Sequence, residues 1–477
     1  MKQFSFLFFI VLGVVAVSFF SSCRKERLLT DSNAKLSFST DTLTFDTVFT
    51  TLGNTTKSFK VLNNNNGKLN ISNIRLAGGN LSPFKLNIDG ASGNEAGNIE
   101  IDGRDSFYVF ATVTIDPTNQ NNPIFFIDSV LFETNGNLQK VYLIAWGQDA
   151  HFYVSEFIEA NENWVNDKPY VILNSMAIAS GVTLTIQPGV QVFMGGNSGI
   201  FVDGGAKIIA QGSCEDSIVF RGIRLEEFYR EQAGQWTGIF LLRNSTGNIF
   251  EHVDITGALY GLSLGSCVDC GPADLIPFNT RASVTIKNSI IRNSLVNGIV
   301  AIGSEVNAEN CLIHTAGDNM VSLGLGGRYN FNHCTLANYG SRYVEHKKAS
   351  LLISNVINDG VQNYAAELLD AKFINTIIYG SLEEEIDTSI VNHDLNIYKY
   401  TFANCLLRTK RDINDTNYYT GCIKNEDPFF VNRSESNYRL DASSPAVGTS
   451  SATLVTTDLD CNARDGAPDI GCYEYTN

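Results

Sequence analysis

The chain has 477 residues and a formal net charge of −16 at pH 7. That charge excludes nucleic acid as a natural partner, because no basic stripe is available to neutralise phosphates. With 40 glycines and 44% hydrophobic residues, the composition indicates a β-rich, turn-rich protein of two or three domains.

Residues 1–23 are predicted to be a signal peptide. Lys2 precedes an apolar run, and small residues lead to Cys23. This pattern resembles a bacterial lipoprotein signal, in which cleavage leaves Cys23 as the lipidated N-terminus. The alternatives are an ordinary secretory signal or a membrane helix, although the run is short for a span. No aspartate follows Cys23, which favours the outer membrane, while the basic cluster Arg24–Arg27 leaves the periplasmic and surface faces both open.

Residues 24–35 are a polar tether, and residues 36–150 are predicted to form an immunoglobulin-like β-sandwich. Segments such as Phe107–Val113 alternate apolar and polar residues, and Asn63–Gly67 has the composition of a turn. The closing segment Val141–Gly147 resembles the last strand of small sandwich modules from ciliary and spindle proteins. Such modules are usually spacers or adhesion units.

Residues 151–477 contain six similar segments that recur at intervals of 21 to 29 residues. This period predicts a solenoid. The third residue of each segment is polar, and asparagine both tolerates a left-handed bend and can stack its amide on the next coil. We therefore expect a parallel β-helix, since the leucine-rich-repeat pattern is absent. The polar column consists of Asn288, Asn310, His333, Ser354, Asn375 and Asn404.

Four motifs carry a family resemblance. Together they look like bacterial, Bacteroidetes-type lipoproteins with a right-handed parallel β-helix. The resemblance implies a pectin-lyase-like solenoid but no activity, since that fold serves lyases, hydrolases, adhesins and inert scaffolds. The motifs are Thr183–Gly189, Gly234–Ile239, Gly326–Thr335 and Asp458–Glu474.

The loop around residues 339–348 is the best candidate for a catalytic or ligand-binding site. Lyases need a basic residue, usually with calcium held by aspartates, and hydrolases need paired carboxylates. Arg342, His346 and Lys347 are the candidate catalytic residues, although a charged run is more often a solvated loop. The candidate ligand-binding residues beside them are Tyr339, Tyr343 and Lys348.

No metal or other cofactor is predicted. The closing stretch Asp458–Asp469 has calcium-loop-like spacing, but Ala463 replaces the required glycine and Asp469 the final glutamate. A hydrogen-bonded C-terminal cap is the preferred interpretation.

Two functions remain open at this point. The preferred one is a non-catalytic, lipid-anchored envelope protein whose β-helix binds a polysaccharide or a surface protein. The alternative is a polysaccharide lyase or glycoside hydrolase acting on a lateral face of the β-helix. Release of cleaved product from a polysaccharide would separate the two.

Cys461 and Cys472 are predicted to form a disulfide that fastens the cap over the last coil. In the family that this chain resembles, the closing motif commonly has glycine and alanine at these two positions, so a paired change to cysteine suggests a bond. Cys267 and Cys270 are a second candidate pair. Cys311 and Cys334 share a column with Cys405, and they could either bond or pack as thiols. The pairing stays open for Cys214, Cys311, Cys334, Cys405 and Cys422.

Overall fold

The computed structural model describes residues 27–50, 56–116, 124–266, 281–358, 363–365, 369–391, 398–451 and 454–476. The chain divides into two compact units, Met1–Asp149 and Ala150–Asn477. The described residues are almost entirely in strands and turns, without an α-helix. Short 3₁₀ turns lie at Gly79–Leu81, Glu227–Tyr229 and Arg433–Glu435.

The described part of the N-terminal unit consists of ten strands. They are β1 (Ser37–Phe38), β2 (Thr42–Phe49), β3 (Lys57–Leu62), β4 (Leu69–Leu76), β5 (Phe84–Ile88), β6 (Ala91–Ser92), β7 (Glu95–Ile101), β8 (Ser106–Val113), β9 (Ile124–Thr134) and β10 (Asn137–Gln148).

These strands form two five-stranded sheets around one hydrophobic core. The sheet orders are β1-β3-β8-β5-β6 and β2-β10-β9-β4-β7. Neighbouring strands run antiparallel except β2 and β10, which pair in parallel. Strand β8 alternates as predicted, with Phe107 and Val109 in the core and Tyr108 and Phe110 exposed. Inside the core, the ring centroids of Phe59 and Phe132 lie 6.1 Å apart.

The C-terminal unit consists of short strands that repeat along the chain. In order they are β11 (His151–Ile158), β12 (Glu162–Trp164), β13 (Tyr170–Ile178), β14 (Thr183–Ile186), β15 (Gln191–Met194), β16 (Gly199–Val202), β17 (Lys207–Gln211), β18 (Ile218–Gly222), β19 (Gly238–Leu241), β20 (Asn248–Glu251), β21 (Val253–Thr256), β22 (Tyr260–Leu264), β23 (Ser283–Lys287), β24 (Ile290–Ser294), β25 (Asn297–Ile302), β26 (Glu305–Glu309), β27 (Leu312–Ala316), β28 (Val321–Gly324), β29 (Gly327–Asn332), β30 (Thr335–Asn338), β31 (Leu351–Ser354), β32 (Val356–Asn358), β33 (Asn363–Ala365), β34 (Leu369–Ile374), β35 (Ile377–Gly380), β36 (Ile386–Ser389), β37 (Tyr398–Ala403), β38 (Leu406–Leu407), β39 (Tyr419–Thr420), β40 (Ile423–Lys424), β41 (Phe430–Asn432) and β42 (Asn437–Leu440).

Most of these strands pair in parallel with the equivalent strand one coil away. One ten-stranded sheet has the order β12-β14-β17-β20-β23-β26-β29-β34-β37-β39, and an 18-stranded sheet contains two interleaved rows. A coil such as β23-β24-β25 therefore gives one strand to each of three rows. Stacked parallel coils of this kind are consistent with a β-helix. Two antiparallel pairs, β32–β33 and β41–β42, lie outside the coils.

A left-handed bend joins the ten-stranded sheet to the next row in each coil from β20–β21 to β37–β38. Asn288, Asn310, Asn375 and Asn404 all have a φ between 47° and 58° there. The amide of Asn310 donates to Asn288 Oδ1 at 2.9 Å, and Asn375 Nδ2 lies 2.9 Å from His333 Nε2. The predicted asparagine bend and its side-chain ladder are therefore confirmed, with His333 as a ladder member.

Ser354 is wrongly assigned to this ladder. Strand β31, which contains it, pairs with β28 and β36 and so belongs to the third row. The ladder passes instead from His333 directly to Asn375. The extra strands β32 and β33 lengthen this coil, and the local resemblance of residues 352–357 to the repeat is misleading.

The described residues of 430–476, here called the lateral segment, run along the side of the coils. The amide of Cys472 donates to Thr335 Oγ1 at 3.1 Å, and Gly471 N donates to Asn375 O at 2.9 Å. Ile470 and Cys472 pack on the outward-facing column that includes Leu312, Ile377 and Leu406. The expectation that this segment caps the last coil is therefore replaced by a lateral cover, because the outer apolar column needs burial along its length.

Candidate functional site

The loop between β30 and β31 holds the residues that the sequence singled out. Arg342 and Lys347 are exposed, whereas the His346 side chain is only 3% exposed. The guanidinium of Arg342 lies 5.7 Å from the ring centroid of Tyr343, and Lys347 Nζ lies 3.5 Å from Glu345. These three candidate catalytic residues therefore have separate partners.

His346 belongs to a buried polar network that attaches the loop to the coil. Its Nε2 lies 3.3 Å from Oε2 of the fully buried Glu385, and its Nδ1 lies 2.8 Å from Ser381 Oγ. Glu385 also accepts hydrogen bonds from the backbone and hydroxyl of Ser350, at 3.0 and 2.6 Å, and from the Leu382 amide at 2.9 Å. A base enclosed in this way has no exposed nitrogen to offer a substrate.

The three candidate ligand-binding residues also lie apart. The guanidinium of Arg433 covers the Tyr339 ring at 5.0 Å, beneath the segment that covers the side of the coils. Tyr343 instead meets the exposed Phe228 ring at 6.1 Å. Lys348 is paired with Asp318 at 2.7 Å. The loop therefore offers one small aromatic contact rather than a converging site.

Another candidate is a groove on the outer face of the ten-stranded sheet, with a volume of about 450 Å³. Two outward columns of polar side chains line it in register. One column runs Ser283, Glu305, Arg328, Asp370, and the other runs Thr285, Asn307, Asn330, Lys372. The intervening residues Val284, Val306, Tyr329 and Ala371 are buried in the core, as strand alternation requires.

The polar groups of this groove are ordered by contacts with one another. Arg328 pairs with Glu305 at 3.1 Å and Lys372 with Asp370 at 3.3 Å. Asn330 donates to Asn307 Oδ1 at 2.7 Å. Among the described residues, the buried Asp370 Oδ1 has no hydrogen-bond partner. The groove therefore carries balanced charge and ordered hydrogen-bonding groups.

The predicted disulfide between Cys461 and Cys472 is wrong. Cys461 is bonded to Cys214, with the two Cα atoms 6.3 Å apart. Cys472 is a fully buried free thiol that packs against the coils. Burial raises the pKa of Cys472 to about 12. Cys461 is bonded to the turn between β17 and β18, whereas Cys472 packs among apolar side chains of the coils, so the sequence proximity of the two cysteines does not bring their sulfurs together.

A second cavity, of about 280 Å³, lies beside this disulfide. Besides Cys214 and Cys461 it is lined by His252, whose Nε2 lies 4.0 Å from Cys214 Sγ. Burial lowers the pKa of His252. The lining carboxylates are neutralised by arginines. Arg292 Nη2 lies 2.8 Å from Asp254, and Arg439 pairs with Asp460.

The acidic residues of the closing stretch do not converge on one point. Asp458 accepts from the Asn462 and Glu474 amides, at 2.7 and 3.0 Å, and Asp469 accepts from the Gly448 amide at 2.7 Å. Burial raises the pKa of Asp469. These contacts are those of a hydrogen-bonded cover along the side of the coils, in place of the C-terminal cap that the sequence favoured.

Cys311, Cys334 and Cys405 are buried thiols, and Cys422 is a half-buried one. The thiol of Cys334 faces the carbonyls of Ala308 and Asn332, at 3.7 and 3.5 Å. Cys311 and Cys334 are therefore packed as free thiols and do not bond to each other. Cys23, Cys267 and Cys270 lie outside the described residues, so the lipidation and the second candidate pair stay predictions.

No known protein family matches the sequence, and no curated protein matches it. Solved structures resemble parts of the chain only weakly. They are an ASH/PapD-like domain of human CEP192 (10% identity, 27% of this chain, 94% of that chain, TM-score 0.19), the Vibrio cholerae VesB protease (14%, 25%, 33%, 0.17) and a family 123 glycoside hydrolase from Clostridium perfringens (8%, 26%, 30%, 0.18). The matched region thus spans about a third of the latter two proteins. In the described residues, no helix is long and apolar enough to cross a membrane.

Proposed function

We propose that this protein is a lipid-anchored outer-membrane protein whose right-handed parallel β-helix binds a polysaccharide without cleaving it. Cys23 carries the lipid, and the N-terminal unit is an immunoglobulin-like spacer. The motifs at Thr183–Gly189 and Asp458–Glu474 support this assignment through their likeness to Bacteroidetes-type lipoproteins.

The groove on the ten-stranded sheet is the observation that carries the binding proposal. Its two polar columns repeat from coil to coil, and neighbouring parallel strands are about 4.8 Å apart. A polymer lying along the coils would therefore meet one polar side chain from each column at each step. A protein surface does not in general have such a repeat, so a polysaccharide is the better fit than a surface protein.

The charges of the groove narrow the class of polysaccharide. Glu305 and Asp370 are matched by Arg328 and Lys372, and the whole chain is acidic. A strongly anionic polymer would meet long-range repulsion without a compensating basic surface. We therefore propose a neutral or zwitterionic glycan.

Binding of a lipid-free chain, from residue 24 onward, to a polysaccharide panel tests this. Asn330→Ala should weaken binding about fivefold and Arg328→Ala about tenfold or more, since a neutral hydrogen bond contributes roughly 1 kcal/mol and one from a charged group roughly 1.5–3 kcal/mol. Tyr343→Ala and Lys348→Ala are matched controls on the 339–348 loop and should leave affinity unchanged. Loss of binding in the loop variants, with the groove variants unaffected, would place the ligand on the loop instead.

Hydrolysis of the polysaccharide is the second candidate function. Glu305 and Asp370 occupy one outward column two strands apart. The backbones of those two strands are roughly 9–10 Å apart. Inverting glycosidases hold their two carboxyl groups up to about 9.5 Å apart. Release of reducing ends, abolished by Glu305→Gln, would replace the binding proposal with this one. Turnover abolished by Arg342→Ala or Lys347→Ala would instead support a lyase on the loop.

The lipid anchor has its own test. Cys23→Ser should move the protein from the membrane fraction to the soluble fraction. If the variant stays with the membrane, the first 23 residues are a membrane span or a bound partner holds the protein there.

A further inference from the structure

Three different elements bring Cys214, His252 and Cys461 together. Cys214 lies in the turn between β17 and β18, which Ser213 N closes by donating to Asp216 O at 3.1 Å. His252 is the left-handed bend residue between β20 and β21, with a φ of 49°. Cys461 lies in the lateral segment, in a turn where its amide donates to Asp458 O at 3.0 Å.

Backbone contacts hold these elements close to one another. Gly212 N donates to Glu251 O at 2.8 Å, and a Cβ at Gly212 would come within 2.5 Å of His252 O. Leu459 N donates to Cys472 O at 2.8 Å and so fixes the Cys461 turn against the buried part of the lateral segment. The three side chains are therefore brought together by the fold and not by the disulfide alone.

The ligand atoms of the three residues all lie within 4.8 Å of one another. Tetrahedral zinc, with bonds of about 2.3 Å to sulfur and 2.0–2.1 Å to nitrogen, places a sulfur and a nitrogen ligand roughly 3.6 Å apart. The observed 4.0 Å between Cys214 Sγ and His252 Nε2 is close to that value. Two thiolates and an imidazole are also the ligands that soft divalent cations prefer.

We propose that Cys214, His252 and Cys461 form a redox-gated site for a soft divalent cation such as Zn²⁺. The oxidised protein holds the disulfide and does not bind the cation. Reduction opens the site, and two sulfurs and one nitrogen then supply three of the four tetrahedral positions. The fourth is left to water or an external ligand from the adjoining cavity.

A dithiol is the reductant in the proposed redox step. One thiolate of the dithiol attacks a sulfur of the Cys214–Cys461 bond, and its second thiol then resolves the mixed disulfide. The dithiol becomes a disulfide, and two electrons and two protons pass to the cysteines. Zn²⁺ then displaces the two thiol protons. At His252, Zn²⁺ takes the place of Asn288 as the partner of Nε2, which lies 3.2 Å from Asn288 Nδ2.

Titration of the full chain with Co²⁺, used as a spectroscopic substitute for Zn²⁺, tests the site. The protein is studied oxidised, and again after anaerobic reduction with a phosphine that is then removed. We expect a thiolate-to-cobalt charge-transfer band at one equivalent in the reduced protein and none in the oxidised protein. A reduced protein without that band would overturn the proposal.

His252→Asn is the sharpest variant, because asparagine occupies the equivalent bend at Asn288 and Asn310 and tolerates its left-handed backbone. It removes the imidazole and should weaken cobalt binding at least about tenfold, the loss that even an outer-shell partner causes. Peptide mapping of the Cys214–Cys461 bond checks that the oxidised variant is folded.

Cys422→Ser is the matched control, since it removes a half-buried thiol outside the cluster and should leave binding unchanged. Cys214→Ser provides an independent comparison if His252→Asn does not fold. Cobalt binding that survives unchanged in Cys214→Ser would also refute the site. Neither outcome depends on whether the groove binds a glycan.

Discussion

Arg464 is expected to hold the lateral segment on the coils. Its side chain is 2% exposed and pairs with Glu474, 5% exposed, at 2.9 Å. The same guanidinium donates to Asn310 Oδ1 and Gly471 O, each at 2.9 Å. Arg464→Ala would leave the Glu474 carboxylate buried without its cation, a change that typically costs about 3–5 kcal/mol.

The lower end of that range is the better estimate for this protein. Among the described residues, the buried Nε of Arg464 has no hydrogen-bond partner, and an unsatisfied buried donor already costs roughly 1–3 kcal/mol. We therefore expect Arg464→Ala to lower the free energy of unfolding by about 3 kcal/mol. The double variant Arg464→Ala with Glu474→Gln should recover part of this, because it removes the buried charge.

Denaturant unfolding and hydrogen exchange measure this effect in the oxidised protein. The amides of Gly471 and Cys472, which donate to the coils, should lose protection first. Arg439→Ala is the matched control, since its pair with Asp460 is 48% and 33% exposed and such a pair contributes about 0–1 kcal/mol. If Arg464→Ala is no more destabilising than Arg439→Ala, the buried pair does not anchor the segment.

Three further outcomes are expected. Asn288→Ala should destabilise by about 1–2 kcal/mol in thermal unfolding, because alanine tolerates its left-handed φ poorly, whereas Asn288→Gly should cost less. Contact with Cys405 lowers the pKa of Cys422 to about 7, while burial raises that of Cys472 to about 12. Alkylation of the native protein near pH 8 should therefore modify Cys422 and spare Cys472, as mass spectrometry can show. Burial lowers the pKa of His314 and His333 to about 3. Because the unfolded chain takes up these protons near pH 6.5, stability should fall between pH 6.5 and 3, by up to roughly 1.4 kcal/mol per pH unit for each histidine. A flat stability curve over this window would contradict that.

The repeating part of the fold was predictable because it depends on local chemistry. A left-handed bend, held by asparagine in most coils and by histidine at His252 and His333, repeats with apolar residues at fixed offsets. Asn288 and Asn310 could therefore be aligned without a structure. Ser354 shows the limit of this approach. Its neighbours match the repeat by composition, but the pairing partner of a strand is decided by the length of the preceding coil, which short sequence patterns do not report.

The disulfide and the groove could not be predicted for a different reason. Cys214 and Cys461 are separated by 247 residues, and nothing near either cysteine indicates that the lateral segment returns to an early coil. The groove residues do recur at a constant offset from the aligned segments, although Glu305, Arg328 and Asp370 are 23 and 42 residues apart in the chain. They precede the aligned segments, however, and polar residues on the outer face of a strand are expected whether or not they bind a ligand.

The two outer surfaces of the coils differ in a way that supports the groove as the binding surface. Leu312, Ile377 and Leu406 face outward and require cover, and the lateral segment provides it with Ile470 and Cys472. That segment also occupies the amide groups of Asn310 and Asn375. The corresponding outward positions on the ten-stranded sheet are polar, ordered by their own contacts, and lie in an open groove. Hydrophobic burial accounts for the first surface but not for the second, so the polar columns remain open to solvent and available to the proposed ligand.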